Sequence, residues 1–263
     1  TDRMSTMSDF VSHRFFQRAG QIAILALFST CGVLAQAASS VLIWPINPII
    51  EPDATAAALW LENRGQAPVR LQVRVLDWSQ QGFNDQLLPQ QQVVGSPPMA
   101  TVEPGKRQLV RLIRRQPAPA GQEKAFRVIV DELLPERTQG SNDLGVQFQM
   151  RFSVPLFVYG AGALVPGKNG NAAADGTDLR FHIAQDGGQR YLHVSNYGLA
   201  HARMSQASLM LGARKLDVAQ GLLGYVLPGS EMRWPLPSGT SVSGAALLVR
   251  VNEQREPQTI APK

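Results

Sequence analysis

The sequence predicts an all-β protein made of two immunoglobulin-like β-sandwich domains. Helical periodicity is nearly absent from its 263 residues, whereas apolar and polar residues alternate repeatedly, as they do in strands with one buried face. Clusters of turn-forming residues separate these alternating runs. About seven short strands spaced in this way over about 120 residues are typical of an immunoglobulin-like sandwich.

The N-terminus predicts an export signal. Basic residues precede an apolar run over residues 22–34, and a small-x-small cleavage site ends at Ala37. Because a membrane helix needs about 20 apolar residues, this shorter run is interpreted as part of a secretory signal peptide covering residues 1–37. The alternatives are an uncleaved N-terminal anchor and a lipidated Cys31.

Cleavage after residue 37 changes what the composition implies. It removes the only cysteine, so the mature chain folds in an oxidising compartment without a disulfide. It leaves 22 basic and 18 acidic residues, and a net charge of +4 is too mild to indicate a nucleic-acid binder. With one cysteine and four histidines in the whole chain, a zinc site built on thiolates is excluded and a histidine-built metal site is improbable.

The first domain is predicted over residues 38–159. Residues 69–75 alternate strictly between apolar and polar side chains, as expected for a half-buried antiparallel strand. Residues 126–131 and 146–153 alternate in the same way. The turn signals between the strands are Asn63-Arg64-Gly65, Gln81-Gly82, Ser96-Pro97-Pro98, Glu103-Pro104-Gly105 and Gly140-Ser141-Asn142-Asp143.

The second domain is predicted over residues 178–257. Residues 160–177 are rich in Gly, Ala and Asn, break the strand pattern and are interpreted as a linker that leads into this domain. Strand signals then resume at residues 179–183, 191–195, 204–211, 231–236 and 245–251.

A weak internal repeat indicates that the two domains are related. Each copy is a strand that ends in an Asn-x-Gly turn and feeds the next strand. Because Asn-x-Gly is also common in unrelated turns, the repeat supports the two-domain organisation only modestly. Leu59, Leu61, Asn63, Gly65, Ala67 and Arg70 recur as Leu192, Val194, Asn196, Gly198, Ala200 and Arg203, at a constant offset of 133.

Signals of catalysis are poor. Residues 239–244 are one residue out of register with a nucleophile elbow and lack its strand-to-helix context. His182, His193 and His201 show no ligand spacing and are interpreted as surface residues of strands or turns. No Gly-rich loop precedes a helix, so neither nucleotide nor any other cofactor is expected. The chain is therefore predicted to be a binding protein and not an enzyme.

One predicted strand carries large apolar side chains at every second position, namely at Val146, Phe148, Met150 and Phe152. A second apolar run, residues 154–159, follows it directly. A central core strand and an exposed binding strand would both show this pattern, and the pattern alone favours the core strand.

An ordered set of motifs across residues 40–159 resembles the periplasmic pilus-assembly chaperones of the chaperone–usher pathway. The Trp-Pro-Ile opening and the Phe-Gln-Met-Arg strand are most similar to the archaic branch of that family. The motifs are Leu42-Ile43-Trp44-Pro45-Ile46, Ala58-Leu59-Trp60-Leu61-Glu62-Asn63, Ser96-Pro97-Pro98, Glu103-Pro104-Gly105, Leu109-Val110-Arg111-Leu112, Phe126-Arg127-Val128-Ile129-Val130-Asp131-Glu132 and Phe148-Gln149-Met150-Arg151-Phe152.

The resemblance implies a boomerang of two immunoglobulin-like domains that holds an incomplete pilin subunit in the periplasm and delivers it to an outer-membrane usher. The chaperone lends an edge strand to the subunit by donor-strand complementation. It also implies that an empty donor edge is capped by self-association or stays mobile. Neither a nucleic acid nor a small-molecule substrate is expected. The matching donor residues are Val146, Phe148, Met150 and Phe152, with Leu42, Trp44 and Ile46 as flanking contacts from the N-terminal strand.

The resemblance further implies a basic anchor for the C-terminal carboxylate of the subunit. Asn47 and Pro155 stand where the classical branch has its Arg and Lys, so that pair is absent. The archaic branch is thought to anchor from the neighbouring strand, where Arg127 matches, and Arg151 is a second candidate. An ordinary solvated arginine is the alternative for both.

Arg111 and Glu123 match positions of an interdomain charge cluster in the family, with an ordinary surface pair as the alternative. Tyr159-Gly160 departs from the family pattern, because the classical branch has a basic residue and a proline there. A structural or adhesive pilus subunit is the second functional hypothesis, and a secreted hydrolase or carbohydrate-binding domain the third. The strand sets predicted for both domains look complete, and this favours the chaperone.

Overall fold

The computed structural model describes residues 41–133, 149–166, 176–237 and 244–263, and these residues form strands and no helix. Within the same ranges, no helix is long and apolar enough to span a membrane. The predicted signal peptide, the predicted donor residues Val146 and Phe148, and most of the motif at 239–244 lie outside the described residues.

The first domain is a sandwich of two sheets. One sheet has the strand order β1-β3-β8-β6, and the other has the order β2-β10-β9-β4-β5, with β7 pairing with β4 beside this path. The strands are β1 (Val41–Trp44), β2 (Ile49–Ile50), β3 (Ala56–Asn63), β4 (Val69–Gln81), β5 (Asn84–Pro89), β6 (Val93–Ser96), β7 (Met99–Val102), β8 (Arg107–Arg114), β9 (Glu123–Leu133) and β10 (Arg151–Tyr159).

Alternation along the strands builds the core of this sandwich. In β4, the side chains of Val69, Leu71, Val73 and Val75 are buried, while those between them are partly or fully exposed. Apolar side chains of β3, β8, β9 and β10 meet them in one cluster that draws on both sheets. Burial of these alternating residues fixes which face of each strand turns inward, and therefore fixes the strand register.

The second domain is a continuous path of strands in the order β14-β13-β16-β17-β11-β12-β15. Its core cluster takes side chains from six of these strands, so the two halves of the path pack face to face. The prediction of an all-β protein with two β domains is confirmed. The strands are β11 (Leu179–Asp186), β12 (Gln189–Asn196), β13 (Ala202–Leu211), β14 (Arg214–Val226), β15 (Glu231–Pro235), β16 (Ala246–Val251) and β17 (Gln258–Pro262).

Two features of the second domain differ from the prediction. The domain does not end near Pro257, because β17 pairs with both β16 and β11 and joins the two halves of the sheet. The long strand β14 has no counterpart among the predicted strands. It contains Gly221 and Gly224, only one of its residues is buried, and its pairing with β13 is interrupted by register shifts, so it lacks clear alternation.

The internal repeat corresponds to a repeated hydrogen-bond arrangement. The Asn63 amide donates to the carbonyls of Ala67 and Val102, both at 2.8 Å, and its oxygen accepts from the Gly65 N–H at 2.8 Å. The Asn196 amide donates to Ala200 and Val226, at 2.8 and 3.0 Å, and accepts from Gly198 at 2.9 Å. Each domain thus uses one buried asparagine to connect its Asn-x-Gly turn to a distant strand end.

Candidate functional site

Two free strand edges lie on the same side of the first domain. β1 is the terminal strand of its sheet and pairs only with β3. The chain then crosses through residues 45–48 to β2, which pairs with β10 only at Phe157 and Val158. Among the described residues, β10 therefore has a free edge over residues 151–156. Because the crossover is so short, the free edges of β1 and β10 lie on the same side of the sandwich.

The apolar face of β10 changes from buried to exposed along the strand. Val154 and Leu156 are buried in the core of the first domain, and Phe152 is half-buried against it. Met150, which directly precedes the strand, is 43% exposed. β10 is thus a core strand at its C-terminal end, whereas apolar side chains become accessible at its N-terminal end.

The predicted flanking contacts differ from one another in exposure. Leu42 is 38% exposed on β1, and Ile46 is 71% exposed in the crossover. The ring of Trp44 is instead engaged within the chain: it stacks on Trp60 with centroids 6.1 Å apart, and the guanidinium of Arg107 lies 5.2 Å from it. Leu42 and Ile46 are therefore the more accessible of the three.

Arg127 is held in an aromatic environment. Its guanidinium carbon lies 3.7 Å from the centroid of Trp78 and 5.3 Å from that of Tyr225, and its side chain is only 14% exposed. Its ion pair with Asp85 is long, at 3.7 Å. Burial lowers the pKa of Arg127, and the Asp85 carboxylate opposes this shift only in part. Arg127 is thus a largely desolvated cation whose charge is only weakly compensated by Asp85.

Arg151 is more exposed and already paired. Its guanidinium donates to the carboxylate of Asp131, which also accepts from Arg74 at 2.7 Å. Burial alone would raise the pKa of Asp131, but these two hydrogen bonds outweigh it and lower the pKa below the ordinary value of 3.8. Arg127 on β9 is the register partner of Pro155 on β10. Arg151 lies an even number of residues from Pro155 on the same strand, so Arg127 and Arg151 lie on the same face of the sheet.

Two comparisons decide the family. The model of the pili and flagellar-assembly chaperones, PapD N-terminal domain, matches residues 45–162. The structure of a chaperone–tip subunit pre-assembly complex, CsuC–CsuE from the archaic Csu pili of Acinetobacter baumannii, contains a chain with 31% identity. The match covers 84% of this chain and 97% of that one, with a TM-score of 0.66. The chain belongs to the pilus-assembly chaperones of the chaperone–usher pathway.

More distant chaperones share the fold of this one. The CupB2 chaperone of Pseudomonas aeruginosa is 19% identical, with a TM-score of 0.59 and coverage of 84% of this chain and 100% of that one. A complex of the SafA pilin with the SafB chaperone from Salmonella enterica contains a chain at 17% identity and a TM-score of 0.56, with coverage of 84% and 94%. No curated protein matches the sequence. The archaic-like resemblance is confirmed, and the chain is a chaperone and not a pilus subunit.

The structure places only one of the two predicted charge-cluster residues of this chaperone between its domains. The Glu123 carboxylate is 1% exposed, accepts from the His201 backbone N–H at 3.1 Å and lies 2.8 Å from His201 Nδ1. Arg111 does not reach it: this arginine is exposed on β8, where its strand partners are Ala58 and Ser96, and it takes part in no ion pair found among the described residues. The cluster predicted from Arg111 and Glu123 is therefore replaced by a contact between Glu123 and His201.

The prediction that the histidines lie on the surface is wrong for two of them. His193 and His201 are 6% and 8% exposed. His201 stacks on Phe157 with centroids 3.5 Å apart, which joins β10 to the second domain. A lone histidine in a turn gives no signal of burial, because the residues that cover it come from a distant part of the chain.

A cavity of about 330 Å³ lies beside this contact, and sequence reasoning did not identify its polar lining. Phe157, Tyr159, His201 and Tyr225 form part of its wall. Arg203 contributes a guanidinium that donates to the Asn252 carbonyl at 3.0 Å and lies 3.4 Å from Glu253. The only available signal for Arg203 was its place in the internal repeat, which indicates structure and not binding.

Gly160 explains the departure from the family pattern at the end of the first domain. A Cβ at this position would lie 1.8 Å from the Pro119 carbonyl oxygen, which is far inside a van der Waals contact. The Gly160 N–H also donates to the Gln122 carbonyl at 2.9 Å, a bond that a proline could not make. The backbone here is packed too closely for any other residue.

Proposed function

We propose that this chaperone holds a pilin subunit by lending it the N-terminal part of β10 together with the residues that precede this strand. The observation that carries the proposal is the free edge over residues 151–156, next to an apolar face that opens to solvent at Met150. A free edge offers main-chain donors and acceptors to an incoming sheet, and side chains on alternate positions fill the groove of the partner. Val146 and Phe148 continue the same alternation toward the N-terminus.

Burial of apolar side chains supplies the free energy of subunit binding. Each large apolar side chain that becomes fully buried contributes about 1.5–3 kcal/mol, from which the cost of ordering the strand must be subtracted. An exposed apolar edge also favours unwanted association, so capping by self-association in the empty state is part of the proposal. The complexes formed by CsuC with CsuE and by SafB with SafA support the binding of a subunit by this chaperone.

Arg127 is the better candidate for the carboxylate anchor. Its only described ion pair is the long contact to Asp85, so most of its five N–H donors remain available to a carboxylate. The indole N–H of Trp78, on which Arg127 stacks, is buried without a hydrogen-bond partner and could be satisfied by the same ligand. Arg151 would first have to release Asp131.

The location and the delivery step complete the proposal. Residues 1–37 direct the chain to the periplasm and are removed there, and the loaded chaperone presents its subunit to an outer-membrane usher. A neighbouring subunit then replaces the lent strand with a better-fitting strand of its own, and the folding of the subunit supplies the free energy. No nucleotide or metal takes part in this transfer.

Substitution of Met150 by Asp tests the donor strand. We expect the variant to lose at least ten-fold in the yield of a pilin co-expressed from the neighbouring gene and purified through a tag on the chaperone. A carboxylate in the apolar groove of the subunit would have to be desolvated, which costs several kcal/mol without a partner. Because Met150 is 43% exposed in the free protein, the variant should fold normally.

Met99 provides the matched control, because it is a methionine of similar exposure, 49%, on a different strand. Substitution of Met99 by Asp should leave the pilin yield unchanged. Equal yields from the two variants, with normal unfolding of both, would contradict the assignment of the donor strand. Failure of the unmodified protein to capture any pilin would contradict the chaperone proposal itself.

A further inference from the structure

A tight hairpin in the second domain brings two histidines face to face. Gly187 and Gly188, with φ of +56° and +85°, form the two-residue turn between β11 and β12. Positive φ at both positions is characteristic of a type I′ turn, which fixes the register of the strands that it joins. His182 and His193 are direct partners in this register, and their rings stack with centroids 4.5 Å apart.

The next strand adds a carboxylate to this histidine pair. β15 pairs with β12, and its residue Glu231 is the register partner of Ser195, two residues from His193 on the same face. One ring nitrogen of His182, one of His193 and one carboxylate oxygen of Glu231 all lie within 4.8 Å of one another. Two imidazoles and a carboxylate form one of the ligand sets that bind zinc in proteins.

The two oxygens of Glu231 have separate roles. Oε1 lies 3.0 Å from His193 Nδ1, whereas Oε2 accepts from Ser195 at 2.6 Å and from Lys263 at 2.9 Å. Burial alone would raise the pKa of Glu231, but the hydrogen bonds from Ser195, Lys263 and His193 lower it to about 2. The group is therefore a carboxylate at neutral pH, and its orientation is fixed through the oxygen that faces away from His193.

His182 has no such partner. Its Nδ1 is buried and makes no hydrogen bond, which leaves one polar atom of the cluster unsatisfied. Burial lowers the pKa of His182, and the neighbouring His193 lowers it further. Buried polar atoms without a partner are uncommon in folded proteins and call for a physical explanation.

We propose that His182, His193 and Glu231 form a binding site for one divalent ion of the late first transition series, such as Zn²⁺ or Cu²⁺. The ion would replace the hydrogen bond between His193 Nδ1 and Glu231 Oε1 and would gain one nitrogen of His182 as its third ligand. As the metal–nitrogen bond forms, the proton on His193 Nδ1 moves through solvent to Nε2 of the same ring, so His193 stays a neutral imidazole. Ser195 and Lys263 keep their hydrogen bonds to Glu231 Oε2 and so hold the carboxylate in place while Oε1 binds the ion.

The geometry requires a small closure of the cluster. Bonds of about 2.0–2.2 Å to a tetrahedral ion place the ligand atoms about 3.3 Å apart, so no pair must approach by more than about 1.5 Å. Rotation of the His182 ring, which is not held by a hydrogen bond at Nδ1, can supply this movement. A solvent molecule would complete four-fold coordination.

The surroundings set the expected strength of binding. Phe83 covers His193 edge-on, with centroids 5.1 Å apart, and Arg233 lies over the rings of Phe83 and Tyr191. The positive charges of Lys263 and Arg233 repel the incoming metal ion, so we expect the protein to bind the ion with only micromolar affinity. The inference goes beyond subunit binding, because the site lies wholly on strands of the second domain.

Isothermal titration of the purified, untagged protein with ZnCl₂ and with CuSO₄ tests the proposal. We expect one ion per chain, with tighter binding of Cu²⁺ than of Zn²⁺ and no binding of Mg²⁺ or Ca²⁺. Substitution of His182 by Gln should weaken Zn²⁺ binding at least ten-fold. This variant should keep the fold, because its Nδ1 has no hydrogen bond to lose.

Arg180→Gln is the control, since Arg180 occupies the same face of β11 two residues away and is not a ligand. It should bind Zn²⁺ as the unmodified protein does. In NMR spectra, Zn²⁺ should shift the imidazole signals of His182 and His193 and leave those of His201 in place. Absence of one-to-one binding below 100 μM (about 5.5 kcal/mol of binding free energy), or equal affinity in His182→Gln, would overturn the proposal.

Discussion

At the scale of single residues, one buried asparagine in each domain connects separate parts of that domain. Asn63 and Asn196 occupy equivalent turns, and each spans two carbonyl groups from separate parts of its domain. Both side chains are almost fully buried, with 1% exposure. Loss of such a donor leaves buried carbonyls without partners, which costs more than the hydrogen bonds contribute in net terms.

Substitution of either asparagine by Ala should therefore destabilise its own domain. Two carbonyls lose their partner in each case, and we expect a loss of about 2–4 kcal/mol in the free energy of unfolding, measured by urea denaturation. Substitution of Asn84 by Ala is the control, because its single bond to Gly82 is exposed, and it should change stability by less than about 0.5 kcal/mol. Similar losses from all three substitutions would contradict the structural role assigned to the repeat.

The surroundings of Arg127, the proposed carboxylate anchor, could not be predicted from the sequence. The alternation on β9 predicted that it would face away from the core, but Trp78 and Tyr225 come from segments far away in the chain. The opposite holds for His182 and His193. The Gly187-Gly188 turn lies midway between them, so a two-residue hairpin read from the sequence would have placed the two histidines opposite each other.

If Arg127 anchors the C-terminal carboxylate of the subunit, removal of either group should have the same consequence. We expect Arg127→Gln to weaken pilin binding about ten-fold or more, and extension of the pilin by two C-terminal residues to do the same. The two changes together should weaken binding no further than either alone, because both remove one interaction. Gln is preferred to Glu here, since a second carboxylate would lie close to Asp85.

Arg74→Gln is the matched control for this cycle, since Arg74 also faces out from the same sheet but pairs with Asp131. It should bind the pilin as the unmodified protein does. Additive losses for Arg127→Gln and the extended pilin would exclude Arg127 as the anchor. They would leave the donor-strand proposal intact, because that proposal depends on Met150 and its neighbours.

At the scale of elements, strands with a clean apolar face could be predicted and strands without one could not. β4 was predicted because its alternation is strict, and β9 because Phe126, Val128 and Val130 recur at every second position. β14 was missed because bulges against β13 and two glycines interrupt its pattern, and β5 because every one of its residues is exposed. β14 and β5 form strands because they pair with the neighbouring strands β13 and β4, and their own sequences carry no clear strand pattern.

The β4–β5 hairpin shows how an exposed element gains a role through a distant contact. Gly82 and Phe83 form its turn with φ of +57° and +64°, a conformation that is unfavourable for a residue as bulky as Phe. The Phe83 ring packs against His193, and the Gln80 side chain bonds the Tyr225 carbonyl and the Leu227 N–H at 3.0 and 2.9 Å. These contacts offset the backbone strain, and through them the hairpin of the first domain also packs against the second domain.

At the scale of the whole molecule, the two-domain organisation was predictable, whereas the contacts that join the domains were not. Period-two alternation, turn signals and the Gly-rich stretch are local features of the sequence. The joint depends on pairs such as Glu123 and His201, 78 residues apart, and on an aromatic group of Trp78, Phe157 and Tyr225. Burial raises the pKa of Tyr159 in this joint, and the adjacent Glu123 carboxylate raises it further, so the phenol stays neutral.

This joint should make the two domains unfold together. Substitution of His201 by Ala leaves the buried Glu123 carboxylate without its side-chain partner, and loss of one member of such a pair costs about 3–5 kcal/mol. It also removes the ring stacked on Phe157. Because the lost contacts lie between the domains, we expect calorimetry to show one unfolding transition for the unmodified protein and two for His201→Ala.

Leu199→Ala, at a 63% exposed position of the same loop, should retain the single transition. A single transition at an unchanged temperature in His201→Ala would mean that the hairpin contacts of Gln80 and Phe83 are sufficient to couple the domains.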